Sequence, residues 1–216
     1  MADPADSGLH RGLRAALLLA ASALVAFGLV ALVHEGTRDR IAEAAHRQAL
    51  ARFDEVLAGT SYDNDLLADS ITLQDPETAG DAATVIAHRA RRNGAVVAVV
   101  MEIVAPNGYS GPIRLLVAIE PGGKVLAARV VQHKETPGLG DFIETRKSDW
   151  ITRFTGKSLQ APAPAGWRVR KDGGEFDQYT GATVTSRAMV AAVARSLALY
   201  ERHRDEVLAP TARIAP

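Results

Sequence analysis

Hydrophobic positions follow two regimes along this chain. The first is unbroken: "AALLLAASALVAFGLVALV", Ala15 to Val33, carries no charged side chain. As a helix rising about 1.5 Å per residue it reaches about 28 Å, close to the ~30 Å hydrocarbon core of a bilayer. A cleaved signal peptide is the competing reading, since Arg11 and Arg14 resemble a basic n-region. The apolar part of such a peptide is typically only about 7–15 residues long, and no convincing A-x-A site closes this run. We therefore expect a retained transmembrane helix over 15–34, preceded by a tail over 1–14. "TRDRIAEAAHRQALARFDEVLA" (Thr37 to Ala58) then sets Ile41, Ala44, Ala45, Leu50 and Phe53 on a loose helical stripe, and "GTSYDNDLLADS" follows as loop. Residues 35–80 thus read as a helical connector and loop.

The second regime, from Ala83 onward, has a period of two. "ATVIAHRA" and "AVVAVVMEIVA" flank "RRNG", in which Asn93-Gly94 is a strong two-residue hairpin signal. "PIRLLVAIE" alternates Ile113, Leu115, Val117 and Ile119 with Arg114 and Glu120, so one face is expected buried and the other wetter. "PGG" at Pro121 to Gly123 turns the chain into "KVLAARVVQH". Two successive hairpins predict a mainly antiparallel sheet. "HKETPGLGD" (His133 to Asp141) is too rich in Gly and Pro for an element. A helix is expected over Phe142 to Phe154, then the linker "APAPAG" and a short strand pair around "GWRVRKDGGEF". Val190, Val193, Leu197 and Tyr200 recur at i, i+3, i+7 and i+10, the pattern of a helix lying on the sheet. The expected fold class is α+β. An N-terminal transmembrane helix precedes an antiparallel sheet with helices packed on it over 81–205, and a tail covers 206–216.

Composition narrows the chemistry. With 25 basic and 25 acidic residues the formal net charge is zero, and aromatics make up 5%. Neither the electrostatic footprint nor the stacking platforms of a nucleic-acid binder are present. The absence of cysteine removes disulfides, thiolate metal sites, cysteine-ligated clusters and thiol nucleophiles together. The six histidines show no H-x-H or H-x-x-x-H spacing, so no metal cage is expected. "TGKS" at Thr155 to Ser158 is no P-loop, because Ile151 stands where that pattern needs its first glycine. "HRARR" at His88 to Arg92 reads as a solvated hairpin tip.

Two stretches remain. "HKETPGLGD" is either an ordinary connector or a loop whose glycines let backbone approach a flat ligand. "FDQYTGATVTSRAMVAAV" (Phe176 to Val193) gathers four hydroxyl residues, Thr180, Thr183, Thr185 and Ser186, around Gly181 and Ala182 at the mouth of a helix. A helix N-terminus suits a phosphate, since its free N–H groups and dipole present positive charge. Capping by Thr180 or Thr183 is the alternative, but a cap needs one hydroxyl and four are present.

"DQYTGATVTS", Asp177 to Ser186, resembles the flavinylation motif D-x-x-[ST]-G-A-T of the FMN-binding subunits of ion-pumping respiratory complexes. The resemblance extends to "NGYSGPIRLLVAIEPGGKVLAARVVQHKETPGLGD", to "DWITRFTGKSL" and to the single N-terminal span. That family includes the G subunit of the Rnf electron transport complex and, as a sibling, the C subunit of the sodium-translocating NADH:quinone reductase. The resemblance implies a covalent FMN, joined by a phosphoester to Thr183. It also implies a separate flavin transferase that attaches the cofactor, with Asp177, Thr180, Gly181 and Ala182 completing the recognition sequence. Thr185 and Ser186 are candidate phosphate donors, and Glu135, Thr136, Gly138, Leu139 and Gly140 are candidates to contact the ring.

The resemblance further implies an electron-carrying subunit, anchored in the bacterial inner membrane with its domain on the periplasmic side. It implies other subunits of an Rnf-type complex as partners. The charge pattern does not supply that orientation and leans, if anything, toward a cytoplasmic C-terminal domain. Arg11 and Arg14 precede the span while Arg38, Arg40, Arg47 and Arg52 follow it, and long domains cross largely regardless of such a tally. A membrane-anchored assembly subunit without a redox role stays open as the alternative, as does the equivalent subunit of a quinone reductase.

Overall fold

The computed structural model describes residues 4–57, 59–75 and 83–210. The ends of the expected tails at 1–3 and 211–216, and residues 58 and 76–82 of the expected connector and loop and sheet domain, lie outside the described residues. Helix α1 runs Pro4–Leu57 without a break between the expected span and the helix after it. The chain divides into two compact units, Met1–Ala49 and Leu50–Pro216.

In the first unit, Ala16–Arg38 forms a helix of 23 residues with mean hydropathy 2.7 and none of its window buried, long and apolar enough to cross a membrane. Its hydroxyls turn inward on the backbone. Ser22 Oγ donates to the Leu19 carbonyl at 2.9 Å and Thr37 Oγ1 to that of Val33 at 2.7 Å. A hydroxyl satisfied by its own helix needs no water, which lets the segment lie in hydrocarbon.

The second unit is built on a five-stranded sheet in the order β1-β2-β3-β4-β5. Its strands are β1 (Ser70–Gln74), β2 (Thr84–Arg92), β3 (Ala95–Ala105), β4 (Ile113–Ile119) and β5 (Val125–Gln132), every neighbour antiparallel. The Asn93-Gly94 hairpin forms as expected, with φ of 53° and 81°. Two positive values in succession define the tight turn whose twist suits flanking strands. Helix α2 (Thr183–Arg202) follows, with the short α3 (Arg204–Leu208) after it. Val190, Val193, Leu197 and Tyr200 of α2 are all buried against the sheet, as their spacing requires.

Four expectations change. Strand β4 is buried on both faces: Leu115, Val117 and Ile119 meet α2, while Leu116 and Ala118 meet a second cluster containing Phe53, Val56, Leu57 and Leu66. The end of α1 thus covers the face that Arg114 and Glu120 made look wet. Strand β1 lies at the end of the 35–80 segment read as helical connector and loop, too short and polar to show a period. The expected helix over Phe142 to Phe154 is instead two 3-10 turns, Asp141–Ile143 and Trp150–Phe154. The expected strand pair reduces to a single parallel bridge between Val169 and Phe176.

"HRARR" is the clearest correction. His88 and Arg91 are 4% and 3% exposed, inside β2 rather than at a tip. Arg91 Nε donates to Asp69 Oδ2 at 2.5 Å, and its terminal nitrogens donate to the carbonyls of Gly94 and Ala209. Arg89 Nε shares the same carboxylate through Oδ1 at 2.6 Å. An arginine can be buried when its nitrogens find acceptors, and Asp69, Gly94 and Ala209 supply one to each nitrogen of Arg91. Asp69→Ala should destabilise the domain by about 3 kcal/mol, the lower end for an orphaned buried charge, because Arg91 keeps two carbonyl acceptors. Urea unfolding checks this, and a shift below half that size would count against the buried pair.

A candidate cofactor site at the start of helix α2

Three segments meet where α2 begins. An aromatic cluster fixes the approach to the helix. Trp150 packs edge-on against Phe142 and Phe154, and Phe154, Trp167 and Phe176 pack together. Tyr179 stacks on Phe142 with ring centroids 4.5 Å apart. Trp150 Nε1 donates to the Asp177 carbonyl at 2.6 Å, which ties the motif's first residue to this cluster. The Asp177 carboxylate points away, between Arg153 and Arg170, and is about 42% exposed.

The helix begins at Thr183, with Ala182 as N-cap and no side-chain capping bond. The capping reading therefore fails. Ala182 N–H donates to the Tyr179 carbonyl at 3.0 Å, and the helix's own bonds begin with Ser186 N–H to the Ala182 carbonyl at 3.1 Å. The N–H groups of Thr183, Val184 and Thr185 are the orphan donors of the first turn. Gly181 shapes the approach, having φ of +84° and leaving room for Leu139, whose Cδ1 would sit 2.9 Å from an added Cβ.

The four hydroxyls separate cleanly. Ser186 is fully buried, with its Oγ accepting from Tyr179 N–H at 3.0 Å and donating to the Ala182 carbonyl at 3.1 Å. Thr185 is 1% exposed and donates from Oγ1 to Glu135 Oε2 at 2.5 Å. Thr180 is exposed. Thr183 is half-buried, and its hydroxyl has no hydrogen-bond partner among the described residues.

Thr183 lines a cavity of about 240 Å³ shared with Tyr109, Glu135, Thr136, Leu139 and Gly140, and with its motif neighbours Gly181, Ala182, Val184 and Thr185. Of the sequence candidates, Gly138, Asp177, Thr180 and Ser186 do not line it. Tyr109 and Val184 do, and neither was a candidate. Tyr109 stands in a turn between Asn107-Gly108 and Ser110-Gly111, and that punctuated setting was the available signal.

Glu135 joins the three segments. It is 4% exposed, and its Oε1 accepts from Ser110 N–H at 3.0 Å while Oε2 takes the Thr185 hydroxyl. No cation pairs with it among the described residues. Glycines pack around it: a Cβ at Gly140 would fall 2.8 Å from Glu135 Cβ, and one at Gly108 would fall 2.9 Å from Oε1. Its backbone N–H donates to His133 Nδ1 at 3.0 Å, so the ring proton sits on Nε2, which faces Glu144 Oε1 at 3.0 Å.

Two carboxylates hold the far side of the Gly-Pro loop. The backbone N–H of Gly138, then Lys147, keeps Asp141 below the ordinary carboxylate range. Arg146, then His133, does the same for Glu144. Each folded value lies below its unfolded one, so the stabilisation is full above about pH 4 and is lost as pH falls through the lower folded values. Thermal midpoints should stay level from about pH 7 to 5 and drop below about pH 4. Asp141→Asn with Glu144→Gln should flatten that drop, and an equally steep one would exclude the pair as its source.

Comparison with known proteins places the chain in a family. The FMN-binding domain family matches residues 108–198 and the RnfG N-terminal region matches residues 9–56. The G subunit of the ion-translocating oxidoreductase complex of Pseudomonas aeruginosa is 50% identical over 206 residues, covering 95% of this chain and 96% of its own. That of Cereibacter sphaeroides is 47% identical over 207 residues, covering 96% and 92%. The crystal structure of Shewanella oneidensis NqrC shares the fold, with a TM-score of 0.54 at 22% identity over 76% of this chain and 98% of that one. With half of its residues identical over nearly the whole of both chains, the protein belongs to the family of G subunits of ion-translocating oxidoreductase complexes.

Proposed function

We propose that this chain is the electron-carrying subunit of a membrane-bound, ion-translocating Rnf-type complex, and that it carries FMN through a phosphoester to Thr183. The observation that carries the reading is the hydroxyl accounting. Of the four motif hydroxyls, those of Thr185 and Ser186 are buried and engaged and Thr180 lies outside the cavity, so among them Thr183 alone combines a partnerless hydroxyl with a place in the lining. The orphan N–H groups of the first turn of a 20-residue helix suit the single negative charge of a phosphodiester there. Glu135 lies in the same lining, but its two oxygens are committed to Ser110 and Thr185.

The residues present fit the rest of the group in part. A cavity of about 240 Å³ is smaller than the ~300–1,000 Å³ of pockets that enclose a drug-sized ligand. Leu139 and Val184, 39% and 43% exposed, offer aliphatic surface beside it. That combination suits a tethered ring held at the surface within reach of a partner rather than one sealed inside. A bound flavin supplies the redox chemistry, taking up and releasing electrons at its ring. The chain's own residues anchor its phosphate, pack one side of its ring and leave the other accessible.

Attachment by a flavin transferase, with Asp177, Thr180, Gly181 and Ala182 as its recognition sequence, completes the reading. The exposed Asp177 carboxylate and Thr180 are accessible to such an enzyme. We place the domain on the periplasmic side of the inner membrane, where a covalent tether retains a flavin that free solution would not supply. The deciding experiment is the intact mass of the chain from a host that expresses the transferase, followed by peptide mapping. FMN mass on the peptide containing Thr183 is expected. Flavin released by denaturation alone would sink the covalent linkage.

A further inference from the structure

Tyr109 is the aromatic side chain in the lining of this cavity, and it lies outside both the flavinylation motif and the Gly-Pro loop. It is 69% exposed, whereas the other exposed bulky hydrophobic side chains described in the sheet domain stand between 38% and 43%. Such exposure is ordinary on a loose loop, but this loop is tightly folded. A Cβ at Gly108 would fall 2.2 Å from the Gly111 carbonyl oxygen, so the chain turns back on itself around Tyr109. The turn is then pinned from below, where Ser110 N–H donates to the buried Glu135 carboxylate at 3.0 Å. The same carboxylate holds Thr185, two residues beyond Thr183, at 2.5 Å. One buried acid therefore fixes the turn that presents the tyrosine and the helix turn that presents the acceptor threonine. A pre-ordered aromatic over an apolar-lined cavity is what a flat ring needs, since it adds stacking surface with little ordering cost at binding.

We infer that Tyr109 is the aromatic wall of the flavin seat, packing on the isoalloxazine of an FMN held at Thr183, and that Glu135 is the positioning residue that sets this wall against the acceptor. Glu135 does not touch the ring in this arrangement. Its two oxygens face Ser110 and Thr185, which takes it out of the ring-contacting set in which its sequence neighbours Leu139 and Gly140 remain. The inference rests on the reading of Thr183 as the FMN site, and it adds a residue that the motif does not contain.

Flavin fluorescence reads the contact directly. A tyrosine against the ring donates an electron to the excited flavin and recovers it as the pair relaxes, so emission is quenched and no net redox change remains. The full chain, flavinylated in cells, is compared with Tyr109→Ala, Tyr109→Trp and Glu135→Ala by intact mass, emission yield and fluorescence lifetime. Tyr109→Ala should emit severalfold more brightly with a longer lifetime and an unchanged thermal midpoint. Tyr109→Trp should restore the quenching, since an indole is also an electron donor of suitable shape. Glu135→Ala should brighten the flavin even though Tyr109 is intact. The Tyr109 series decides alone if that variant misfolds. Equal emission from the native chain and Tyr109→Ala, each with a full complement of flavin, would overturn the wall. Equal brightening by Tyr109→Ala and Tyr109→Trp would do the same. A native chain whose mass shows no flavin on Thr183 would instead overturn the acceptor assignment, and the wall with it, so the two failures are distinguishable.

Discussion

Thr183→Ala is expected to yield a folded chain with no flavin fluorescence after denaturing electrophoresis, a complete loss rather than a graded one. The substitution removes only a hydroxyl that has no partner, from a first-turn position where alanine is well tolerated, so stability should change by less than about 0.5 kcal/mol. Thr185→Ala should behave differently. It strands a buried Glu135 oxygen, which costs about 1–3 kcal/mol, and loosens the turn that carries Thr183, so flavinylation should fall in proportion to misfolding and not vanish. Thr180→Ala should leave the fold intact because its side chain is exposed. Asp177→Ala loses two exposed arginine pairs of little energetic weight, so reduced flavinylation in that variant would reflect recognition by the transferase rather than unfolding. The assignment of Thr183 fails if its alanine variant keeps the covalent signal while Thr180→Ala or Thr185→Ala loses it.

The parts of this protein that were legible in its sequence are those where one physical demand acts on many residues. The apolar run at Ala15 to Val33, the hairpin at Asn93-Gly94 and the stripe from Val190 to Tyr200 each express a single period or turn geometry, and each stands in the structure as read. What stayed hidden depends on partners distant in the chain. "HRARR" looks solvated because its charges are visible and its acceptors are not: Asp69 lies about twenty residues away and the Ala209 carbonyl over a hundred. The second face of β4 looks polar because Phe53, Val56 and Leu57 arrive from the end of α1. The site divides in the same way. Its chemistry was written locally, as four hydroxyls around a Gly-Ala pair, but the division of labour among them required Glu135 and Tyr179 to be in place. Leu139 was legible as part of a Gly-Pro loop, while Tyr109 needed the tertiary approach of the β3–β4 turn.

The largest effect should appear at the level of the assembled complex. In a strain lacking this chain, the native protein should restore electron flow through the Rnf-type complex and the Thr183→Ala protein should not. Loss of flow is meaningful only if assembly survives, and the structure gives reason to expect that it does. The substitution lies in a small cavity at one end of α2, and it alters neither the apolar helix of 16–38 nor the two buried faces of the sheet. Tagged Thr183→Ala chain should therefore copurify with the other subunits in native amounts. The electron-entry subunit should keep its activity with an artificial acceptor, which places the block downstream of entry. The chain has no cysteine, and no cluster able to hold a metal ion occurs among its described residues, so no second redox group is evident to carry electrons once the flavin is gone. Native copurification with abolished flow supports an electron path through the flavin at Thr183. Restored flow would remove the flavin from that path, and the chain would then be better understood as an anchored assembly subunit whose cavity serves another purpose.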